Sequence, residues 1–221
     1  MTTSTATTVT VSAAPARTDA TTPSHAEQPS VSIMTARRTG VAVLAGSLVW
    51  AVNFFTVGAN PGTTLGTTIS DLSALPFQIG LFALVALQLR TRATGTSRLA
   101  VGMLKVERVL LALATTWTVL HGAVPAFRDD AWLAVLDLFW PLSMLGMAII
   151  GVKVAVAGRW HGAVRAWPAV AESWAVVNVP VFGALGPGRV ADLVGGSHLL
   201  LGYCTLGLLL LLRPELTGAR D

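Results

Sequence analysis

An all-α, polytopic bundle of six transmembrane helices is the fold class this sequence predicts, and three observations predict it. Charged residues make up 12% of the chain against 53% apolar, and the mean hydropathy is +0.66. Soluble domains carry about 25% charged residues, so too few charges remain here to cover a water-facing surface. Six separate runs are long and apolar enough to cross a hydrocarbon core about 30 Å thick, which takes about 20 helical residues. Lys and Arg fall alternately on two sides of those runs, as they do when cytoplasmic loops retain positive charge.

Residues 1–36 are rich in Thr, Ser, Ala and Pro and show no hydrophobic period. Such a segment buries too little to offset its ordering entropy, so a disordered cytoplasmic tail is expected. It lacks the apolar stretch of a secretory leader. Met34, followed by Thr-Ala-Arg-Arg, is an alternative point for translation to start. The transmembrane domain is expected over residues 37–213, with a short cytoplasmic tail at 214–221.

The six runs are Thr39–Gly58, Leu72–Leu89, Val109–Phe127, Ala131–Gly151, Ala169–Gly186 and Leu193–Leu212. Short connections make sequential neighbours antiparallel hairpins. One side holds Arg17, Arg37, Arg38, then Arg90, Arg92, Arg98, Lys105, Arg108, then Lys153, Arg159, Arg165, and finally Arg213 and Arg220. The other holds only Arg128 and Arg189. The bias places both termini in the cytoplasm, and an odd number of helices would break the alternation. Arg outnumbers Lys thirteen to two, a usage associated with GC-rich bacterial genomes, so a bacterial cytoplasmic membrane is the expected location. The seven Trp are of a type that favours the headgroup region. The single Cys, Cys204, excludes an intramolecular disulfide. The basic residues form no stripe and no nucleic-acid module is present, so nucleic acid is excluded as a partner. The lipid bilayer is the expected one.

A threefold pattern runs through the chain. Trp50, Trp117 and Trp174 recur in the odd runs, each followed about a turn later by Asn53, His121 or Asn178. Asp71, Asp137 and Asp192, each followed by Leu, recur at the even runs, with Gly80, Gly146 and Gly202 beyond. Three related hairpins would produce this, as repeats do in other membrane folds. Chance agreement among frequent residues would also produce it.

The first outer connection reads Asn60-Pro61-Gly62-Thr63-Thr64-Leu65-Gly66-Thr67-Thr68-Ile69-Ser70-Asp71-Leu72. It resembles the Pro-containing loop ending in Thr-Ile-Ser-[Asp/Glu]-Leu of a family of uncharacterised six-span bacterial membrane proteins. The resemblance covers this loop, the hydropathy profile, and His121 with Pro125. It implies six spans and no activity, so no functional residues carry over.

Polar groups in a bilayer are costly and each needs a reason. Asn53, His121, Asp137, Asn178 and His198 all fall in the outer half by the assigned topology, and if they face inward they line one polar cavity. The structural alternatives are hydrogen bonds across helices, about 1 kcal/mol each, and an N-cap role for Asp137 at the start of helix 4. Asp71 and Asp192 read as helix-start residues. Glu172, a secondary site candidate, lies toward the cytoplasmic side, where interfacial pairing with a basic residue such as Arg165 is expected and a proton-relay role is the alternative. Glu107, between Lys105 and Arg108, is expected to be solvated, and Lys153 to snorkel. Pro76, Pro141 and Pro180 predict kinks. No Gly-x-x-x-Gly lies within a span, so a glycine-driven dimer is not expected.

Esterase, zincin and phosphate-loop motifs are absent, and no cofactor is implied. Three functional readings follow. The first is a non-enzymatic protein that binds or passes a small solute or lipid headgroup through the outer polar cluster. The second is an intramembrane metal-dependent hydrolase, with His121, His198 and Asp137 holding a zinc ion. The third is a membrane assembly or scaffold protein without a cavity.

Overall fold

The computed structural model describes residues 1–3 and 31–221. Most of the expected tail therefore lies outside the described residues, and its last residues do not belong to it. The Ser32 hydroxyl accepts a hydrogen bond from Thr35 N–H at 3.2 Å and starts α1, Ile33–Thr56, well before the apolar run. An N-cap needs only a side-chain oxygen ahead of helix-compatible residues, and Arg37 and Arg38 are good helix formers.

The chain continues as α2 Thr64–Ser73, α3 Leu75–Arg90, α4 Arg98–Ala123, α5 Ala131–Asp137, α6 Phe139–Ala157, α7 Gly162–Ala171, α8 Trp174–Leu185, α9 Arg189–Leu199 and α10 Thr205–Leu212. The described residues are otherwise turns and short helical pieces, with one isolated bridge between Ser32 and Arg220. The first connection is thus not all loop. Thr63 caps α2 by accepting from Gly66 N–H at 3.1 Å, which draws Thr64–Ser73 into the helix and puts Asp71 in its last turn rather than at a helix start. Asp192 does lie in the first turn of α9.

Proline accompanies two of the breaks in the long segments. Pro76, without an N–H, follows the discontinuity at Ala74 between α2 and α3, and Pro141 follows the one at Leu138 between α5 and α6. Pro180 lies inside α8. Between α9 and α10 the chain makes a π turn at Leu200–Cys204. The Trp167 indole N–H donates to the Gly202 carbonyl there at 3.1 Å, an outside donor for a carbonyl in the irregular stretch.

Among the described residues, five continuous or nearly continuous segments are long and apolar enough to cross a membrane: Ile33–Thr56, Thr64–Arg90, Ala131–Ala157, Gly162–Leu185 and Arg189–Leu212. The exposed surface argues the same way. On α6, Leu142, Leu145, Ile149, Val152 and Val156 form one outward stripe at helical spacing, each 48% to 69% exposed. The opposite face of α6 buries Met144, Met147, Ile150 and Val154. A helix apolar on both faces fits lipid on one side and protein on the other.

α1 sits against α3, α9 and α10. Glycine permits that closeness. A Cβ on Gly40 would lie 2.6 Å from Gly207 O, and one on Gly80 2.9 Å from Ala42 O. Small residues at close backbone approaches are the usual device of membrane helix packing, here within the chain and without the four-residue spacing. One end of the bundle gathers the α1–α2 and α4–α5 connections and the start of α9. Asp192 ties it by accepting from Ala59 N–H at 3.0 Å, and Asp192→Ala is expected to cost about 1 kcal/mol, through that bond and the lost carboxylate at a helix N-terminus. A melting temperature unchanged from the parent would refute this. At the other, basic end, Trp160 donates to Thr91 Oγ1 at 3.0 Å, and His161 N–H to Leu216 O at 2.9 Å. Arg220 N–H reaches Val31 O at 2.9 Å. The C-terminal stretch is therefore docked, with Thr217 and Ala219 buried.

Candidate functional site

The two proline-linked breaks aim the chemistry. Asp71 precedes the break at Ala74, Asp137 is the last residue of α5, and both carboxyls line one cavity of about 300 Å³ at the Arg128 end of the bundle. The wall is mostly apolar, and four indoles contribute to it: Trp50 from α1, Trp117 from α4, Trp140 from α6 and Trp174 from α8. Four of the chain's seven Trp thus line this cavity. The rings hold one another. Trp50 stacks on Phe77 with centroids 4.8 Å apart and lies 5.3 Å from both Trp140 and Trp174. The Trp174 indole donates to Gly195 O at 3.2 Å.

Asp71 is anchored to α4. Its Oδ2 lies 2.6 Å from His121 Nδ1, and the His121 ring stacks on Trp117 at 4.6 Å. Gly122 allows this, since a Cβ there would sit 2.9 Å from Leu72 Cδ2 and 3.0 Å from Asp71 Cβ. Arg128 closes the end of the helix. Its Nε donates to His121 O at 2.8 Å and an Nη to Thr68 Oγ1 at 2.8 Å, and Thr68 donates on to Gly122 O at 2.9 Å. The guanidinium is therefore held by backbone and hydroxyl oxygens beside the site.

The five sequence candidates separate. Asp137 lines the cavity and is not an N-cap, a position held by Asp130 because the helix begins earlier, at Ala131. His121 stands behind the wall through Asp71. Asn53, buried, donates to Ser70 Oγ at 3.1 Å, and Ser70 is part of the lining. Asn178, fully buried, donates to Trp174 O at 2.8 Å, within its own helix. His198 lies elsewhere, on a shallow groove with Ser197 and Leu201, donating through Nε2 to Val170 O at 3.1 Å. Among the described residues no three His, Cys, Asp or Glu gather as metal ligands would, and His121, Asp137 and His198 do not form such a set.

Sequence reasoning misses Asp71 and the four Trp as site residues. The threefold pattern is the available signal, since Trp50, Trp117, Trp174, Asp71 and Asp137 all belong to it and all line the cavity.

Two carboxyls nearer the basic end overturn their expectations. Glu172 is fully buried where α7 gives way to α8, accepting from Gln88 Nε2 at 2.8 Å. It does not pair with Arg165, whose Nε donates to Ala155 O at 2.8 Å. Glu107 is buried rather than solvated, accepting from Ser143 Oγ at 2.6 Å. It belongs to the inward stripe of α4 with Ala100, Leu104, Leu111, Ala114 and Thr118. Glycine makes room for both: Gly146 faces the Glu107 carboxyl, and a Cβ on Gly151 would lie 2.8 Å from that of Glu172.

Comparisons with protein-family models, with curated proteins and with solved structures give no match for this chain.

Proposed function

We propose that this chain is a six-span protein of a bacterial cytoplasmic membrane, with both termini in the cytoplasm, whose cavity opens toward the outer face and binds or passes a small solute or lipid headgroup. The observation that carries the reading is the cavity itself: about 300 Å³ between helices, walled by four indoles and holding two carboxylates. Pockets for small molecules begin near this size and combine apolar walls with a few convergent polar groups.

α4 supplies the sixth crossing. Its 26 residues reach about 39 Å, more than a hydrocarbon core. Lys105 and Arg108 fall near its basic end, where their stems snorkel, and Glu107 turns inward onto Ser143. The bias of basic residues then places the Arg128 end outside. The threefold pattern and the likeness of the first connection to six-span proteins accord with this count.

The orientation is checked by single cysteines in a Cys204→Ala background. A membrane-impermeant maleimide is expected to label Asn60→Cys on intact cells and Thr96→Cys only after permeabilisation. The reverse pattern overturns the orientation, and labelling of both from outside removes a crossing. The cavity is checked by filling it. Ala175 is buried and lines the void, so Ala175→Phe is expected to abolish solute-induced changes in tryptophan fluorescence across a panel of small solutes and short-chain lipids. A panel without effect on the unsubstituted protein favours the scaffold reading instead.

A further inference from the structure

The lining of the cavity has one sign of charge. Asp71 and Asp137 contribute carboxylates, and no Lys or Arg lines it. The nearest guanidinium, that of Arg128, is held by His121 O, Thr68 Oγ1 and Gly122 O. Those acceptors are neutral, so the guanidinium keeps its charge beside Asp71, but its N–H groups are turned to them, and an anionic ligand in the cavity would meet the two lining carboxylates first. A neutral apolar ligand would strip water from both carboxylates and return nothing to them, which is costly. A cation meets the opposite situation. The faces of Trp are the best side-chain partners for an ammonium, through the ring quadrupole. Here Trp50, Trp117, Trp140 and Trp174 surround the void from four different helices, and two carboxylates supply the countercharge. Asp71 is already oriented by His121 at 2.6 Å. Asp137 lines the cavity, is exposed, and accepts no hydrogen bond from a neighbouring side chain among the described residues.

We propose that the cavity recognises an organic ammonium, a positively charged nitrogen carrying small apolar substituents, by cation–π contact with the indoles and countercharge from Asp71 and Asp137. This rests on the reading of the cavity as a binding site and names its ligand class. A free cation in the outer medium and the ammonium of a zwitterionic lipid headgroup present the same chemistry.

The test uses the full chain in phosphatidylglycerol nanodiscs, with choline and its uncharged isostere 3,3-dimethylbutan-1-ol as probes. Tryptophan fluorescence and calorimetry read the binding. Choline is expected to give a saturable change, with the isostere weaker by about tenfold or more. Asp137→Asn is expected to weaken choline by about tenfold and to leave the isostere unaffected. Asp71→Asn serves as the second variant, with a melting curve to show that loss of the His121 bond has not unfolded the end of α2. Repeating the titration in phosphatidylcholine nanodiscs separates the sources: a lipid-headgroup ligand competes and lowers the apparent affinity for choline, whereas a free-cation site leaves it unchanged. Equal binding of choline and the isostere overturns the ammonium class while preserving a solute cavity. A response to neither probe in phosphatidylglycerol overturns the ammonium class as well. The panel screened against Ala175→Phe then decides separately whether the cavity binds anything.

Discussion

Gly46→Val is expected to be the most damaging single substitution in the chain. A side chain at this position meets backbone, the Pro76 carbonyl and, at 2.6 Å, Phe77 N, and neither can rotate away. Relief requires α1 and α3 to separate. That separation would open the contact between Gly80 and Val43, where a Cβ on the glycine would lie 3.0 Å from Val43 Cα, and pull Trp50 from Phe77. Overpacking a close-packed interior costs roughly 1–3 kcal/mol, more where the neighbours cannot yield, so the upper end applies. For a chain of this size that is a melting temperature lower by roughly 6–12 °C. Gly183→Val is the control, because nothing lies within 4 Å of a Cβ there. Equal melting of the two variants in the same detergent would show that α1 and α3 are not held as described.

Glu172→Leu is expected to destabilise by leaving the buried Gln88 Nε2 without its partner. Both residues are fully buried, and their hydrogen bond is 2.8 Å long. A buried donor stripped of its partner costs about 1–3 kcal/mol. Hydrogen bonds between membrane helices average about 0.6 kcal/mol in double-mutant cycles, with a maximum near 1.7. Complete burial on both sides puts this pair toward that maximum. Gln88→Leu should cost a similar amount, and the double variant should recover most of the loss, because two apolar groups leave nothing unpaired. Arg165→Ala should be milder, since Arg165 serves Ala155 O and not Glu172. Additive effects of Glu172→Leu and Gln88→Leu would exclude the pairing, and a larger loss from Arg165→Ala would restore the ion-pair expectation.

The errors of sequence reading share a cause. The sequence neighbours of Glu107, Lys105 and Arg108, point to solvent, although its position three residues after Leu104 and four before Leu111 puts it on the inward stripe of α4. The helical period carries that information. Asp71 reads as a helix start because the apolar run begins at Leu72, but Thr63 caps a polar helical turn that hydropathy does not register. His198 shares an apparent depth with Asp137, yet depth says nothing of azimuth, and its ring turns to Val170 O on another surface. The Asp-Leu and Trp positions of the threefold pattern are legible, but nothing in their spacing says that Asp71 and Asp137 enter a cavity while Asp192 ties down Ala59.

The amino-acid order alone determined that this protein is helical, that several of its segments are long and apolar enough for lipid, and that Pro76 and Pro141 fall beside interruptions, whereas Pro180 lies inside α8. Those properties are local: backbone hydrogen bonds close within each helix, and hydrophobicity sums along a single segment. Which polar groups meet was decided only in three dimensions. Each discontinuity, at Ala74 and at Leu138, resets the rotational phase of the helix that follows, and each glycine contact sets how near two axes come. The direction in which Asp71, Asp137 and the four indoles point is the product of those rotations and distances, and no single segment contains it.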